Sequence, residues 1–186
     1  MPAFACTAGA SGLLLIDVQE RFVAAVPSIA PDQAVGRTLR LLLTAAHLHG
    51  VPTLISEQYP AGLGRTLPHL VEAAPTAPRM AKMHFSCVGD PELREAIAVR
   101  ARHTWVLCGI ETHVCVLQTA ADLLSLGHEV VVASDAVDSR KPEHREAALA
   151  TLRTLGALVL PGEAIAMRWT MVAGTPLFKQ ISALIK

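Results

Sequence analysis

Residues 104–133 read TWVLCGIETHVCVLQTAADLLSLGHEVVVA. A short apolar run, 104–108, stops at Gly109. Residues 112–126 then carry Val116, Leu117, Ala120, Leu123 and Leu124 at helical spacing, and Gly127 ends them. A β-branched run follows over 129–133. Strand, helix and strand of these lengths make a βαβ unit, whose two strands are parallel. Working outward, the runs 13–16, 51–55, 79–82 and 157–160 read as further strands. Residues 33–49, 91–101, 143–155 and 176–186 read as helices; Pro91 opens one of them, and Gly50 and Gly156 close two others. Strand and helix alternate about six times, which implies an α/β fold with helices on both faces of a parallel sheet. The strands are apolar on both sides, as strands buried on two faces should be. The pattern leaves the strand order open.

Composition narrows the function classes. The chain has 186 residues, 52% hydrophobic and 17% charged, which suits one domain with a large core and excludes a disordered chain. Residues 1–186 are expected to form that single domain, with 1–10 as a flexible N-terminal extension. Sixteen basic residues balance sixteen acidic ones, so no basic excess speaks for nucleic acid. The longest apolar windows are broken by Asp17, or by His47 and His49, so no membrane span is expected. The first Arg is Arg21, so the N-terminus lacks the basic region of an export signal, and a cytoplasmic location is expected. Four cysteines, Cys6, Cys87, Cys108 and Cys115, form no CxxC pair or zinc spacing; free thiols without metal or cofactor are expected. Only four of the basic residues are lysines: Lys82, Lys141, Lys179 and Lys186.

In open parallel sheets, ligands bind beyond the carboxyl ends of the strands. Three unlike reactive residues fall there: Asp17 after the first strand, Lys82 at the end of the third, and Cys115 just past the fourth. Taken singly, these are a loop carboxylate, a snorkelling lysine and a small buried hydrophobe. Together they suit nucleophilic acyl transfer. Cys115 would attack as a thiolate, with its pKa lowered by a helix N-terminus and by Lys82. Asp17 would take the thiol proton and return it to the leaving amine. The turn 109–114 would aim backbone N–H groups at the developing oxyanion.

Five stretches carry a family likeness: LLLIDVQERF (13–22), EQYPAGLG (57–64), KMHFS (82–86), LCGIETHVCVLQTA (107–120) and SDAVDSR (134–140). The chain resembles the isochorismatase-like cysteine hydrolases, and within them the isochorismatase domain-containing proteins. The resemblance implies a Rossmann-like three-layer α/β/α fold with a six-stranded parallel sheet of order 3-2-1-4-5-6. It implies a triad of Asp17, Lys82 and Cys115, and a cis peptide between Ile110 and Glu111. The N–H groups of Glu111 and Cys115 would then form the oxyanion hole. Isochorismate-cleaving members characteristically lack the nucleophilic cysteine, so Cys115 argues against that reaction. Nicotinamidases carry a metal-binding Asp-x-His-Pro motif where this chain has Ser56-Glu-Gln-Tyr-Pro60, which argues against a metal and against nicotinamide. Glu111 stands where many amidase members have a small residue, and His113 where many have Asp.

The expected activity is therefore metal-independent hydrolysis of a small-molecule amide or related C–N bond through a thioester. His84 and His113 flank the expected site, Tyr59 and Phe22 are candidate walls, Trp169 a candidate cap, and Gln19 a candidate orienter of Asp17. Arg140 reads equally as an anion clamp or a surface charge. A homo-oligomer is expected, with the apolar tail 176–186 as the candidate interface. Two other classes fit the same residues. One is a catalytically silent binding or oligomeric scaffold. The other is a redox-responsive thiol protein in which Cys87 or Cys108 resolves an oxidised Cys115.

Overall fold

A computed structural model describes residues 6–185. In chain order the elements are β1 (Ser11–Ile16), α1 (Ala34–His49), β2 (Thr53–Gln58), α2 (Pro60–Leu63), α3 (Pro68–Ala73), β3 (Arg79–Lys82) and α4 (Pro91–Val99). Then come β4 (Thr104–Ile110), α5 (Leu117–Ser125), β5 (Glu129–Asp138), α6 (Pro142–Thr154), β6 (Leu158–Leu160), α7 (Gly162–Thr170) and α8 (Pro176–Ile185). The six strands pair in parallel, in the order β3-β2-β1-β4-β5-β6.

Every residue of β1 and of β4 is buried. Side chains alternate across a strand, so the apolar run of β1 feeds two cores. Leu13 and Leu15 join Leu39, Leu42 and Leu43 of α1, Ile165 of α7 and Ile181 of α8. Leu14 and Ile16 join Leu93 and Ile97 of α4, Leu123 of α5, and Leu149 and Leu152 of α6. This is the three-layer sandwich that two-sided strands require. Each buried Leu or Ile contributes about 1.5–3 kcal/mol relative to an exposed one. Local signals set several helix ends. Gly50 caps α1 in the left-handed region at φ 65°, and the Asp90 carboxylate accepts from the Glu92 and Leu93 N–H groups that open α4.

Tertiary contacts move some boundaries. β2 runs on to Gln58, past the residue 55 end that its apolar run suggests. β5 extends to Asp138, with a register shift against β4 between Leu107 and Gly109. The helix expected from residue 112 opens as a π-turn over Thr112–Val116, where the Val116 N–H reaches back to the Glu111 carbonyl, and α5 follows it. Helix α7 escapes the sequence reading. Its Trp169 lies in the α1-side core at 3% exposure, which corrects the expectation of a pocket cap. Of the expected flexible extension, residues 1–5 lie outside the described residues. In residues 6–10, Cys6 is buried, and the Thr7 carbonyl accepts from Ala10 and Ser11, so this part is held against the core rather than loose. Among the described residues, no helix is long and apolar enough to cross a membrane.

Candidate active site

The carboxyl ends of β1 to β4 meet at one point because of register. Ile16 pairs with Ser56 on one side and with Gly109 on the other, and Gln58 pairs with Lys82. Asp17, the residue after β1, therefore lies between the ends of β2 and β4. Strands lie about 4.8 Å apart, so a residue on β3 must reach across β2 to touch it. Lys82 is long enough to do so. Its Nζ donates to Asp17 Oδ2 at 2.7 Å, to Gln58 Oε1 at 2.7 Å, and to the His84 and Phe85 carbonyls at 3.1 Å each. Both side chains of the Asp17–Lys82 pair are essentially removed from solvent. Ser56 Oγ donates to the other carboxylate oxygen, Asp17 Oδ1, at 2.7 Å.

The backbone here is specialised. Asp17 sits at φ 54°, a left-handed conformation that Asp tolerates better than most residues. Gly109 sits at φ 114°, and a Cβ there would lie 2.1 Å from the Ile16 carbonyl oxygen. Only glycine lets β4 pass this close to the residue that presents Asp17. The Ile110–Glu111 peptide bond is cis.

Cys115, on the turn Thr112–Val116, is 7% exposed. Burial raises its thiol pKa, and the Asp17 carboxylate beside it raises it further; the Lys82 charge pulls the other way and does not prevail. This corrects the expected resting thiolate. The ammonium has three protons and already faces four oxygen acceptors, so its charge is largely committed to Asp17, Gln58 and the 84–85 backbone. Burial works against the Lys82 charge, yet Asp17 together with the Cys87 and Cys115 thiols outweighs this and holds the ammonium above the ordinary lysine value. Cys87 is a second buried thiol that feels Asp17 and Lys82; burial pushes it up to about 11.

The remaining predicted residues divide. Gln19 is buried and bonded wholly to backbone: Nε2 donates to the Gln58 and Gly64 carbonyls, and Oε1 accepts from the Gln58 N–H. It clasps the β2–α2 connection, which corrects its assignment as a substrate contact or an orienter of Asp17. Phe22 packs on the α1-side core, whereas Cys115 belongs to the other core. Tyr59 is half exposed, and its N–H donates to the Lys82 carbonyl. His84 is exposed; it meets the site through its carbonyl on Lys82. His113 Nδ1 lies 3.0 Å from Ser139 Oγ, its ring 4.6 Å from that of His144. Glu111 is buried against Arg140. The sequence reading missed Ser56 and Gln58 as members of the site and weighed Cys87 only as a resolving thiol. The alternation of β2 beside Asp17 was the available signal for Ser56 and Gln58.

A parallel α/β/α sandwich with a buried carboxylate, ammonium and thiol converging at its carboxyl edge defines a class of hydrolase-fold proteins. The Isochorismatase domain family matches residues 11–164, and the chain belongs to that family. Isochorismatase domain-containing protein 2 of Pongo abelii is 40% identical over 182 residues, 96% of this chain and 84% of the relative. A solved structure of MAR1 ribonuclease from Caenorhabditis elegans is 35% identical and superposes with a TM-score of 0.86, covering 96% of this chain and 91% of the other. The ycaC gene product of Escherichia coli, described as an octameric hydrolase of unknown specificity, is 21% identical and shares the fold at a TM-score of 0.87 over all of this chain and 89% of its own.

Proposed function

We propose that this protein is a metal-independent cysteine hydrolase that cleaves a small-molecule amide or related C–N bond through a thioester. The observation that carries this reading is the Asp17 carboxylate, held at both oxygens by Lys82 and Ser56 beside the Cys115 thiol. The thiol is protonated at rest, so attack and deprotonation are coupled. Cys115 Sγ adds to the amide carbon while its proton passes to Asp17. The N–H groups of Glu111 and Cys115 serve the oxyanion. Collapse breaks the C–N bond, and the leaving amine takes the proton from Asp17. Water then adds to the thioester, again giving its proton to Asp17, and the acid leaves as the thiol re-forms. Lys82 keeps Asp17 oriented and offsets the negative charge that moves between Asp17 and Cys115.

The chain is read as one domain working as a homo-oligomer in the cytoplasm. The octameric E. coli relative and the amphipathic α8 support the assembly, and four free cysteines suit a reducing compartment. The balanced charge supports a small-molecule substrate over RNA, despite the name of the C. elegans relative. The test is a panel of small amides and esters run on wild type and Cys115→Ser. Wild type should turn over at least one member, and the variant should lose about a thousandfold or more. Equal turnover by both proteins refutes the nucleophile assignment.

Cys87 favours one second reading, a redox-responsive thiol pair, because it senses the same Asp17 and Lys82 as Cys115. Hydrogen peroxide would then take two electrons and two protons from the two thiols, leaving one disulfide and two waters. A Cys87–Cys115 crosslinked peptide by mass spectrometry supports it, and over-oxidised Cys115 without a crosslink refutes it.

A further inference from the structure

Arg140 is an unusual arginine. Its backbone N–H and its side-chain Nε both donate to one oxygen, Glu111 Oε1, at 3.0 Å each. The guanidinium is thus pinned at its root by a buried carboxylate. Its side chain nonetheless remains 60% exposed, and its two terminal nitrogens make no hydrogen bond among the described residues. A long side chain loses rotamer entropy when held this way, and the geometry left over is a fixed planar fork facing outward.

The fork stands at the same sheet edge as Cys115. Asp138 pairs with Ile110, which sets Arg140 beside Glu111, and Glu111 leads directly into the turn that carries Cys115. The His113–Ser139 contact ties that turn to the segment preceding Arg140 a second time. His144, at the start of α6, packs against His113 with the two rings tilted at 53°. Burial holds the His113 imidazole below its ordinary pKa, so that ring lends no standing positive charge near neutral pH.

We infer that Arg140 is a specificity-determining residue whose terminal guanidinium nitrogens clamp a carboxylate on the substrate, so that the preferred substrates are small amides bearing a carboxylate. The inference rests on the hydrolase reading above and narrows it. A planar carboxylate matches the fork in a bidentate way. The charges at the site favour a monoanion over a dianion. Asp17 balances Lys82 and Glu111 balances Arg140, so a dianionic phosphate would bring twice the uncompensated charge.

The test compares succinamate, which carries an amide and a carboxylate, with the neutral succinamide. Proteins are wild type, Arg140→Met and Arg140→Lys; the lysine keeps a counter-charge for Glu111 but removes the fork. Wild type should favour succinamate at least tenfold in kcat/KM. That preference should collapse in Arg140→Met and be only partly kept in Arg140→Lys. Succinate titrated calorimetrically into the same three proteins gives a second readout independent of turnover, with at least tenfold weaker binding to Arg140→Met. No preference in wild type, a preference unchanged in both variants, or tighter binding of inorganic phosphate than of succinate overturns the clamp. If no amide is turned over by any protein, the hydrolase reading fails, while the succinate titration still decides the clamp. Equal succinate binding to wild type and a folded Arg140→Met refutes it.

Discussion

Replacing Lys82 with Met keeps most of the side-chain stem and removes only the ammonium. In the folded protein that ammonium donates to Asp17, Gln58 and two carbonyls, and its pair with Asp17 lies away from solvent. The variant would leave a buried carboxylate whose counter-charge is gone. Breaking a buried ion pair by deleting one partner costs about 3–5 kcal/mol, far more than the net worth of the intact pair. For a chain of this size each kcal/mol shifts Tm by about 2–4 °C, so a fall of about 6–20 °C at pH 7 is expected. The double variant Asp17→Asn, Lys82→Met should recover part of that loss, because the orphaned charge goes too. The pH dependence has a definite sign. Lys82 is held above its ordinary value of 10.5, so the folded chain keeps its proton where the unfolded chain loses it. Its stabilisation is complete below that ordinary value and declines as pH rises from there through the folded one. The Tm gap between wild type and Lys82→Met should therefore stay constant from pH 6 to 9 and narrow in more alkaline buffer. Differential scanning calorimetry across pH measures both effects. A variant melting within about 2 °C of wild type at pH 7, or a gap that widens in alkali, refutes the account of Lys82 as the counter-charge of Asp17.

Two further outcomes follow from the same geometry. Gly109→Ala forces a Cβ into the Ile16 carbonyl and a left-handed φ on an L residue, so a destabilisation of about 3 kcal/mol or more is expected by urea unfolding; an unchanged midpoint would contradict the observed approach of β4 to β1. Iodoacetamide should modify Cys115 more slowly than free cysteine at pH 8, with a rate still climbing past pH 9, because burial and Asp17 raise its thiol; a rate that levels off below pH 8 would restore the resting thiolate.

Much of the fold was legible in local pattern. Strand β3 spans the expected residues 79–82, and α1 began within one residue of its periodic stretch and ended before the expected Gly50. These signals are local: apolar spacing sets the element, and Gly or Pro sets its end. Boundaries moved where long-range contacts overrode them. β2 continues to Gln58 because β3 pairs with it there, and the π-turn before α5 closes on the carbonyl of Glu111. In the site, Asp17, Lys82 and Cys115 stood out because their chemistry is conspicuous at strand ends. Ser56 and Gln58 did not, since a polar residue near a strand end is ordinarily a turn residue; only the register shows them bonded to Asp17 and Lys82.

By itself the sequence determined the class of fold, because two-sided apolar strands alternating with amphipathic helices have only a parallel, doubly covered sheet in which to bury themselves. It also held the family likeness and the three reactive side chains. Only the tertiary structure decided their ionisation and their company. Whether Cys115 rests as thiol or thiolate depends on the carboxylate beside it and the water excluded around it, and neither quantity is written along the chain. Arg140 shows the same division. Its charge was plain from the start, but a surface charge and an aimed fork differ only in whether a buried Glu111 holds the guanidinium still.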